Sequence, residues 1–190
     1  MNIYNPHSEY TYLAGGALRR LITGEKLDSD WDFFFKTKKA VDVFAFYLFS
    51  QPKLYTIISN ERRTMNTTIQ FVLNSTNQEF KFQLIDFRYY ENVSEVLDSF
   101  DFTLCMFGIE KDNLFYADTA MTDIRDKKLV PNKITYPISS TRRILKYAKD
   151  GYRLDTDGIK SFLCGISFSE LYSEYDKEKG IVRNSGMSGG

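Results

Sequence analysis

The sequence predicts an α+β fold, with helices packed on a mixed or antiparallel sheet and a helical extension at the C-terminus. Short apolar and aromatic runs with strand-like alternation recur through residues 9–117, with turn residues between them. From residue 138 onward, the apolar residues recur with helical spacing instead. The length of 190 residues suits one domain with a small appended element, and a 43% hydrophobic content suffices for its core.

The first elements follow one another closely. The run "EYTYLA" predicts a strand that ends at Gly15-Gly16, and residues 17–23 predict a helix with Leu18, Leu21 and Ile22 on one stripe. Gly24 ends this helix. The aromatic run "SDWDFFF" predicts a second strand, and "KKAVDVFAFYLFS" predicts a helix with a wide apolar face.

The remaining elements include two hairpins. The runs "KLYTIIS", "TTIQFVLN" and "EFKFQLIDF" predict strands, and the turn "STNQ" joins the last two. After a short helix, "SEVLDSF", the run "DFTLCMFGIEKDNLFYAD" predicts a second hairpin whose first strand begins at Asp101. Helices are predicted for "SSTRRILKYAKDGY" and "DGIKSFLCGISFSELYSEY".

Composition excludes several classes of function. The 25 basic and 25 acidic residues balance, so any nucleic-acid binding must come from a local patch. The single histidine, His7, cannot anchor a metal cluster alone, and Cys105 and Cys164 lie in apolar runs typical of reduced core thiols. Neither a targeting segment nor a membrane span is evident, so we expect a cytoplasmic protein with no membrane partner.

Two aspartates in the second strand carry the first chemical signal. Alternation along a strand places Asp30 and Asp32 on one face, with Trp31 and Phe33 on the other. Two close carboxylates repel each other unless a cation lies between them, and Mg²⁺ (or Mn²⁺) bound with substrate phosphates is a suitable one. A pair of such ions can activate a hydroxyl and stabilise a leaving pyrophosphate.

The Gly-Gly pair fits the same chemistry. Gly15 and Gly16 would let backbone N–H groups approach phosphate at a helix N-terminus, and Arg19 could contact the same phosphates. Alone, a Gly-Gly pair is usually a tight turn, and an Asp-x-Asp is usually a solvated or capping pair. The order strand, Gly-Gly, helix, strand, Asp-x-Asp is much more specific.

With these residues in place, "LAGGALRR…SDWDFFF" resembles the head-domain signature of the DNA polymerase β-type nucleotidyltransferases, in particular bacterial poly(A) polymerases and CCA-adding enzymes. That signature is Gly-Gly-x-Val-Arg-Asp, a spacer, and Asp-x-Asp on a strand. The similarity continues through "FDFTLCMFGIEKDNLFYADTAMTDIRDKKLV", whose Asp101, Asp118 and Asp123 match family aspartates, and through "RRILKYAKDGYRL". The resemblance implies a polymerase β-like nucleotidyltransferase head at 1–137 and a helical neck-like extension at 138–180, which leaves 181–190 as a flexible tail.

This sequence also departs from the family pattern. Arg20 replaces the aspartate of the first motif, Ser99 and Phe100 replace two arginines, and Cys105 replaces an asparagine.

The third acid of the family is the least certain match. Gln83 stands where a glutamate is common, whereas Asp86 fits the looser apolar–Asp–apolar pattern of the superfamily. We prefer Asp86 as third metal ligand and catalytic residue beside Asp30 and Asp32, because only an acid ligates a metal usefully. Its alternative is an edge residue paired with Arg88 or a lysine.

Three further residues are candidates for nucleotide binding. Asp101 is either a capping acid or, as the resemblance implies, a group that orients an arginine or the nucleotide. Arg142 and Arg143 belong to a basic helix face with Lys146 and Lys149. That face is either simply solvated or contacts triphosphate or an RNA backbone.

The resemblance implies a metal-dependent nucleotidyltransferase that moves a nucleotidyl group from a nucleoside triphosphate, ATP among them, to an acceptor hydroxyl. RNA, such as a tRNA 3′ end, is the first expected acceptor, with a protein partner supplying RNA-binding elements that the chain lacks. The alternatives are modification of a protein or small molecule, as toxins of the superfamily do, and a non-catalytic descendant that binds nucleotide or a partner.

Overall fold

A computed structural model describes residues 10–63, 66–166, 171, 173 and 177–179. They form two compact units. The first unit takes in the described residues up to Phe100 together with Leu104–Ala120, and the second takes in Asp101–Thr103 together with the described residues from Met121 onward. The expected division at residue 137 into head and neck stays a prediction, because compactness alone does not assign function to either unit.

The first unit contains a seven-stranded sheet and three helices. In chain order they are β1 Thr11–Ala14, α1 Gly16–Thr23, β2 Trp31–Phe35, α2 Lys38–Phe49, β3 Tyr55–Arg62, β4 Asn66–Leu73, β5 Glu79–Ile85, α3 Val93–Asp98, β6 Phe107–Glu110 and β7 Asn113–Tyr116.

The sheet is mixed, with the strand order β3-β4-β5-β2-β1-β6-β7. The central pair β2 and β5 is parallel, and the other neighbouring pairs are antiparallel. The predicted hairpins β4–β5 and β6–β7 are both confirmed. The α+β class is confirmed as well, because helices accompany one mixed sheet.

Side chains alternate across β2 as the sequence predicts. Phe33 and Phe35 pack in one core cluster with Phe44 of α2. Phe34 packs in a second cluster with Val93 and other residues of α3. Since residues two apart on a strand share a face, Asp32 lies on the face of Phe34.

The second unit is helical in its described part. Its helices are α4 Ala120–Arg125, which starts at the last residue of the first unit, α5 Pro137–Lys149 and α6 Thr156–Cys164. The Asp155 carboxylate caps α6 by accepting from the Gly158 N–H at 2.8 Å. The helix predicted over 157–175 is not continuous, because α6 ends at Cys164 with Gly165 as its C-cap. Part of the remaining range lies outside the described residues, as do His7 and the predicted tail.

Three local predictions are wrong. The strand expected at Asp101 begins only at Phe107, after a 3₁₀ turn at Thr103–Cys105. Cys164 is exposed and only Cys105 is buried, because α6 turns Cys164 away from its packed side. On α1, Leu18 is buried but Leu21 and Ile22 are exposed. Within the described ranges, no helix is both long and apolar enough to cross a membrane.

Candidate active site

Gly15 lies where β1 ends, beside the start of β2. Ala14, the last residue of β1, is in register with Asp32. Gly15 has φ +100° and ψ −154°, a conformation that essentially only glycine adopts. A Cβ atom here would lie 3.4 Å from Asp32 Oδ2 and 3.6 Å from the Phe100 ring. The positive φ therefore requires glycine here, and the Asp32 carboxylate lies within van der Waals distance of the position that a Cβ atom would take.

Gly16 begins α1 and has a different environment. A Cβ atom added there would meet no atom within 4 Å, so the start of the helix is open. The Gly15 N–H already donates to the Phe107 carbonyl at 2.9 Å. The first amides of a helix, in contrast, have no acceptor within that helix, and the dipole favours an anion there. Of the two predicted phosphate contacts, Gly16 thus has the more suitable amide.

Asp30 lies directly before β2 and its carboxylate is 30% exposed. Its Oδ2 atom accepts a hydrogen bond from Gln83 Nε2 at 2.6 Å and lies 3.3 Å from Lys81 Nζ. Gln83 of β5 is in register with Asp32 of β2. The structure thus brings Asp30, Asp32 and Gly15 to one end of the central strands, with Gln83 as the facing residue on β5.

Asp86 has different contacts from the acid pair. It follows β5, and its carboxylate is 11% exposed. It lies 2.5 Å from Lys38 Nζ of α2 and accepts from the Tyr89 hydroxyl at 2.9 Å. The hydrogen bond from Lys38 to Asp86 raises the pKa of that ammonium. These contacts match the alternative interpretation of Asp86 as an acid paired with a lysine.

The three expected metal ligands, Asp30, Asp32 and Asp86, are not gathered into one cluster. Over the described ranges, no group of three or more His, Cys, Asp and Glu side chains could hold a metal ion. The physical reason is strand geometry, since Gln83 faces Asp32 and a residue three further along points to the other face. A metal-binding role for Asp86 stays a prediction.

Arg19 is turned towards an internal partner. Its side chain is 1% exposed, and Nη1 donates to both Glu25 oxygens at 2.8 and 3.0 Å. The neighbouring Arg20 pairs with Asp28 at 3.1 Å. A phosphate could reach Arg19 only if its pair with Glu25 opened, so the predicted phosphate contact stays untested.

The remaining predicted nucleotide-binding residues lie in the second unit. The buried Asp101 Oδ2 accepts from Ser140 Oγ at 2.9 Å and from Arg143 Nη1 at 2.7 Å. Asp101 thus accepts a hydrogen bond from an arginine, and its predicted part in nucleotide binding stays a prediction. Arg142 pairs with Glu178 at 2.6 and 3.0 Å, while Lys146 and Lys149 are exposed.

The donor set fits a divalent ion that arrives with a substrate. Mg²⁺ is usually bound through one or two carboxylates together with substrate phosphates, and Asp30 and Asp32 supply two carboxylates. Both of these contacts of Asp30 fall on Oδ2, and the side chain as a whole is 30% exposed. These two carboxylates alone do not complete the coordination shell of a Mg²⁺ ion, so the substrate phosphates and water would supply the other ligands.

The sequence alone did not reveal that Lys81 and Gln83 both contact Asp30. Both lie on β5, whose parallel pairing with β2 joins segments that are distant in the chain. An exposed lysine is common in an alternating strand, so nothing near Lys81 in the sequence indicates its contact with Asp30. The glutamine at a family glutamate position was the one available signal.

The mixed sheet and its helices form a polymerase β-like nucleotidyltransferase-type fold. The chain is similar to a solved "tRNA-processing enzyme (apo form I)", with a TM-score of 0.55 and 16% identity over 88% of this chain and 47% of that one. It is also similar to a tRNA nucleotidyltransferase complexed with a primer tRNA and an incoming ATP analog, with a TM-score of 0.54 and 16% identity over 89% and 48%. The chain thus spans about half the length of these relatives.

The chain belongs to the Gabija anti-defense 2 family, whose model matches residues 2–127. No curated protein matches it. The matched range includes all seven strands, and with them Gly15, Asp30, Asp32 and Gln83. The family therefore shares the part of the chain that builds the candidate site.

Proposed function

We propose that the protein transfers a nucleotidyl group from a nucleoside triphosphate to an acceptor hydroxyl. The observation that carries this proposal is the Asp32 carboxylate packed against Gly15, beside Asp30 and the open start of α1. It combines a place for phosphate with two oxygen ligands for a cation. The fold shared with nucleotidyltransferases supports the proposal.

In the proposed reaction, the acceptor oxygen forms a bond to the α-phosphorus. The bond from that phosphorus to the oxygen bridging to the β-phosphate breaks, its electron pair leaves with pyrophosphate, and the hydroxyl proton is released to water. Asp30 and Asp32 would hold a Mg²⁺ or Mn²⁺ ion, which would neutralise phosphate charge. Gly16 positions the phosphates at the start of α1, and catalysis depends mainly on this positioning.

Label transfer tests the proposal. The full chain is incubated with each α-labelled nucleoside triphosphate, Mg²⁺ or Mn²⁺, and either total RNA or total cell protein. The Asp30→Asn, Asp32→Asn double variant should lose label by at least about 100-fold, on the scale of removing a group that stabilises transition-state charge. Asp86→Asn is measured beside it and tests the predicted third acid separately, because the Asp86 carboxylate pairs with Lys38 outside the aspartate pair.

The outcomes separate the alternatives. Equal labelling by wild type and the double variant would exclude a role for the aspartate pair. Loss of label in a folded Asp86→Asn variant would support the predicted catalytic role of Asp86, and full label would exclude it. Nucleotide binding without any labelled product would support a non-catalytic descendant.

RNA is the first candidate acceptor, because one structural relative was solved as a complex with a primer tRNA. Its support on the chain itself is the basic face of α5, where Lys146 and Lys149 are exposed. Phosphate contacts from such residues give affinity without sequence specificity. A partner protein could supply the rest of an RNA-binding surface.

A protein is the second candidate acceptor, and the family description favours it. A Gabija anti-defense protein that carries a nucleotidyltransferase site could act by attaching a nucleotide to a hydroxyl side chain of a defence component. Labelling of a purified defence protein, followed by mass determination of the added nucleotide, tests this candidate. Label found in RNA alone, with the same protein present, would exclude it.

A further inference from the structure

Lys81 places a positive charge inside the candidate site. Lys81 and Gln83 are two residues apart on β5, so their side chains share one face of the strand. Both reach the same atom, Asp30 Oδ2, with Lys81 Nζ at 3.3 Å and Gln83 Nε2 at 2.6 Å. The β5 side of the site therefore offers an ammonium and an amide instead of a carboxylate.

The amide of Gln83 presents its donor end to the aspartates. Its Oε1 atom accepts a hydrogen bond from Asn66 Nδ2 of β4 at 3.3 Å, while its Nε2 atom donates to Asp30. The oxygen that could have served as a metal ligand is thus already bonded to the neighbouring strand. Gln83 donates a hydrogen bond to Asp30 and adds no negative charge to the site.

The charges of these side chains limit how many divalent ions the site can take. Two-metal sites hold their ions about 3.5–4 Å apart, which concentrates four positive charges on their ligands. Asp30 and Asp32 contribute two negative charges here, Gln83 contributes none, and Lys81 contributes one positive charge. A second divalent ion at Asp30 would meet the ammonium at short range, with twice the repulsion of a singly charged ion.

We propose that the site binds a single divalent ion, which arrives with the triphosphate, and that the Lys81 ammonium takes the place of a second ion. The inference rests on the proposed nucleotidyl transfer. The carboxylates of Asp30 and Asp32 would hold the ion, while Oδ2 of Asp30 keeps its contacts with Lys81 and Gln83. Lys81 is a positioning residue, because it acts through Asp30.

Counting bound Mn²⁺ tests the inference without turnover. The full chain is saturated with an α,β-methylene nucleoside triphosphate, and protein-bound Mn²⁺ and nucleotide are measured by electron paramagnetic resonance and equilibrium dialysis. Wild type should bind one Mn²⁺ per bound nucleotide. A Lys81→Met, Gln83→Glu double variant should bind two, because it replaces the ammonium with an apolar side chain and adds a carboxylate.

Lys36→Met is the matched control, since Lys36 pairs with Glu91 at 2.9 Å away from these aspartates, and it should bind one ion. Two Mn²⁺ per nucleotide in wild type would overturn the inference and leave the transferase proposal intact. A folded double variant that still binds one would also overturn it. Nucleotide-dependent Mn²⁺ binding that is absent, or is unchanged in Asp32→Asn, would remove the transferase proposal as well.

Discussion

Gly15 and Gly16 are neighbours in the chain, but only the first requires the absence of a side chain. Gly15 has φ +100°, and its added Cβ would touch Asp32 Oδ2 at 3.4 Å, whereas Gly16 is helical with open space around it. We expect Gly15→Ala to lower the free energy of unfolding by about 1–3 kcal/mol, the cost of a strained backbone conformation. Gly16→Ala should be neutral or stabilising by up to about 1 kcal/mol, because alanine favours helix.

Urea denaturation of the two variants measures this difference, and the midpoint should fall only for Gly15→Ala. Equal stability of both variants would mean that the turn does not constrain residue 15. If the Gly15 conformation also places Asp32, then nucleotide-dependent Mn²⁺ binding should weaken in Gly15→Ala at temperatures where the variant remains folded.

Tyr12 makes the stability of the protein depend on pH in the alkaline range. Its buried hydroxyl donates to the Glu91 carbonyl at 2.8 Å, and burial, followed by the nearby Glu110 and Glu91 carboxylates, raises its pKa to about 12. Burial also raises the pKa of Tyr55 to about 12. Between pH 10 and 12 the folded protein keeps protons that the unfolded chain has lost, so stability falls as pH rises.

We therefore expect that these two tyrosines do not change the free energy of unfolding below pH 10, and that they lower it as the pH rises above 10. The slope is at most about 1.4 kcal/mol per pH unit for each tyrosine. Urea denaturation between pH 8 and 11.5 measures it, and Tyr12→Phe and Tyr55→Phe should each make the decline shallower. A decline that stays as steep in both variants would assign it to other groups.

At the scale of elements, Asp101 connects the start of the second unit to α5. Its carboxylate is buried, and it binds the fully buried Ser140 as well as Arg143. Asp101→Ala would leave the Ser140 hydroxyl buried without this acceptor and would remove a charged hydrogen bond. We expect a loss of about 2–3 kcal/mol of stability, in the upper range for bonds to charged groups.

Arg142→Ala is the matched control, since its pair with Glu178 lies at the surface, where such pairs contribute about 0–1 kcal/mol. Thermal unfolding of both variants should therefore show a large shift for Asp101→Ala and a small one for Arg142→Ala. If nucleotide affinity at a temperature where Asp101→Ala is folded also collapses, Asp101 contacts the nucleotide and is more than a structural acid.

Strand pairs connected by a short turn could be predicted from the sequence, whereas pairs of strands that are distant in the chain could not. The β4–β5 and β6–β7 hairpins follow from turn residues between alternating runs. The parallel pairing of β2 with β5 passes through α2, β3 and β4, so the sequence could not show that Gln83, and not Asp86, faces Asp32. Asp30 and Asp32 could be proposed because their spacing and the preceding Gly-Gly pair are local.

At the scale of the whole molecule, the proposed nucleotidyl transfer and the proposed RNA binding depend on different regions of the chain. The family model ends at residue 127, so it includes the aspartate site but neither α5 nor α6. The basic face that would contact RNA belongs to α5 alone. Nucleotidyl transfer is thus proposed for the part of the chain that matches the family model, whereas RNA binding is proposed for a helix outside that part.

The charge of the molecule predicts how strongly RNA binding should depend on salt. The 25 basic and 25 acidic residues leave no net attraction for phosphate, and Arg142 and Arg143 are engaged with Glu178 and Asp101. Lys146 and Lys149 then supply about two phosphate contacts. Each contact to single-stranded RNA contributes about −0.7 to the slope of log affinity against log salt, so we expect a slope near −1.4.

Fluorescence anisotropy with a labelled single-stranded RNA, from 50 to 300 mM salt, measures this slope. Lys146→Gln, Lys149→Gln should bring it close to zero, whereas the control pair Lys39→Gln, Lys53→Gln, which removes two exposed lysines from the first unit, should leave it unchanged. A slope steeper than about −3 that survives in Lys146→Gln, Lys149→Gln would place the RNA surface elsewhere on the chain. With the expected shallow slope, affinity changes little with salt and RNA is held weakly, so transfer to a protein acceptor becomes the stronger candidate unless a partner protein supplies the missing contacts.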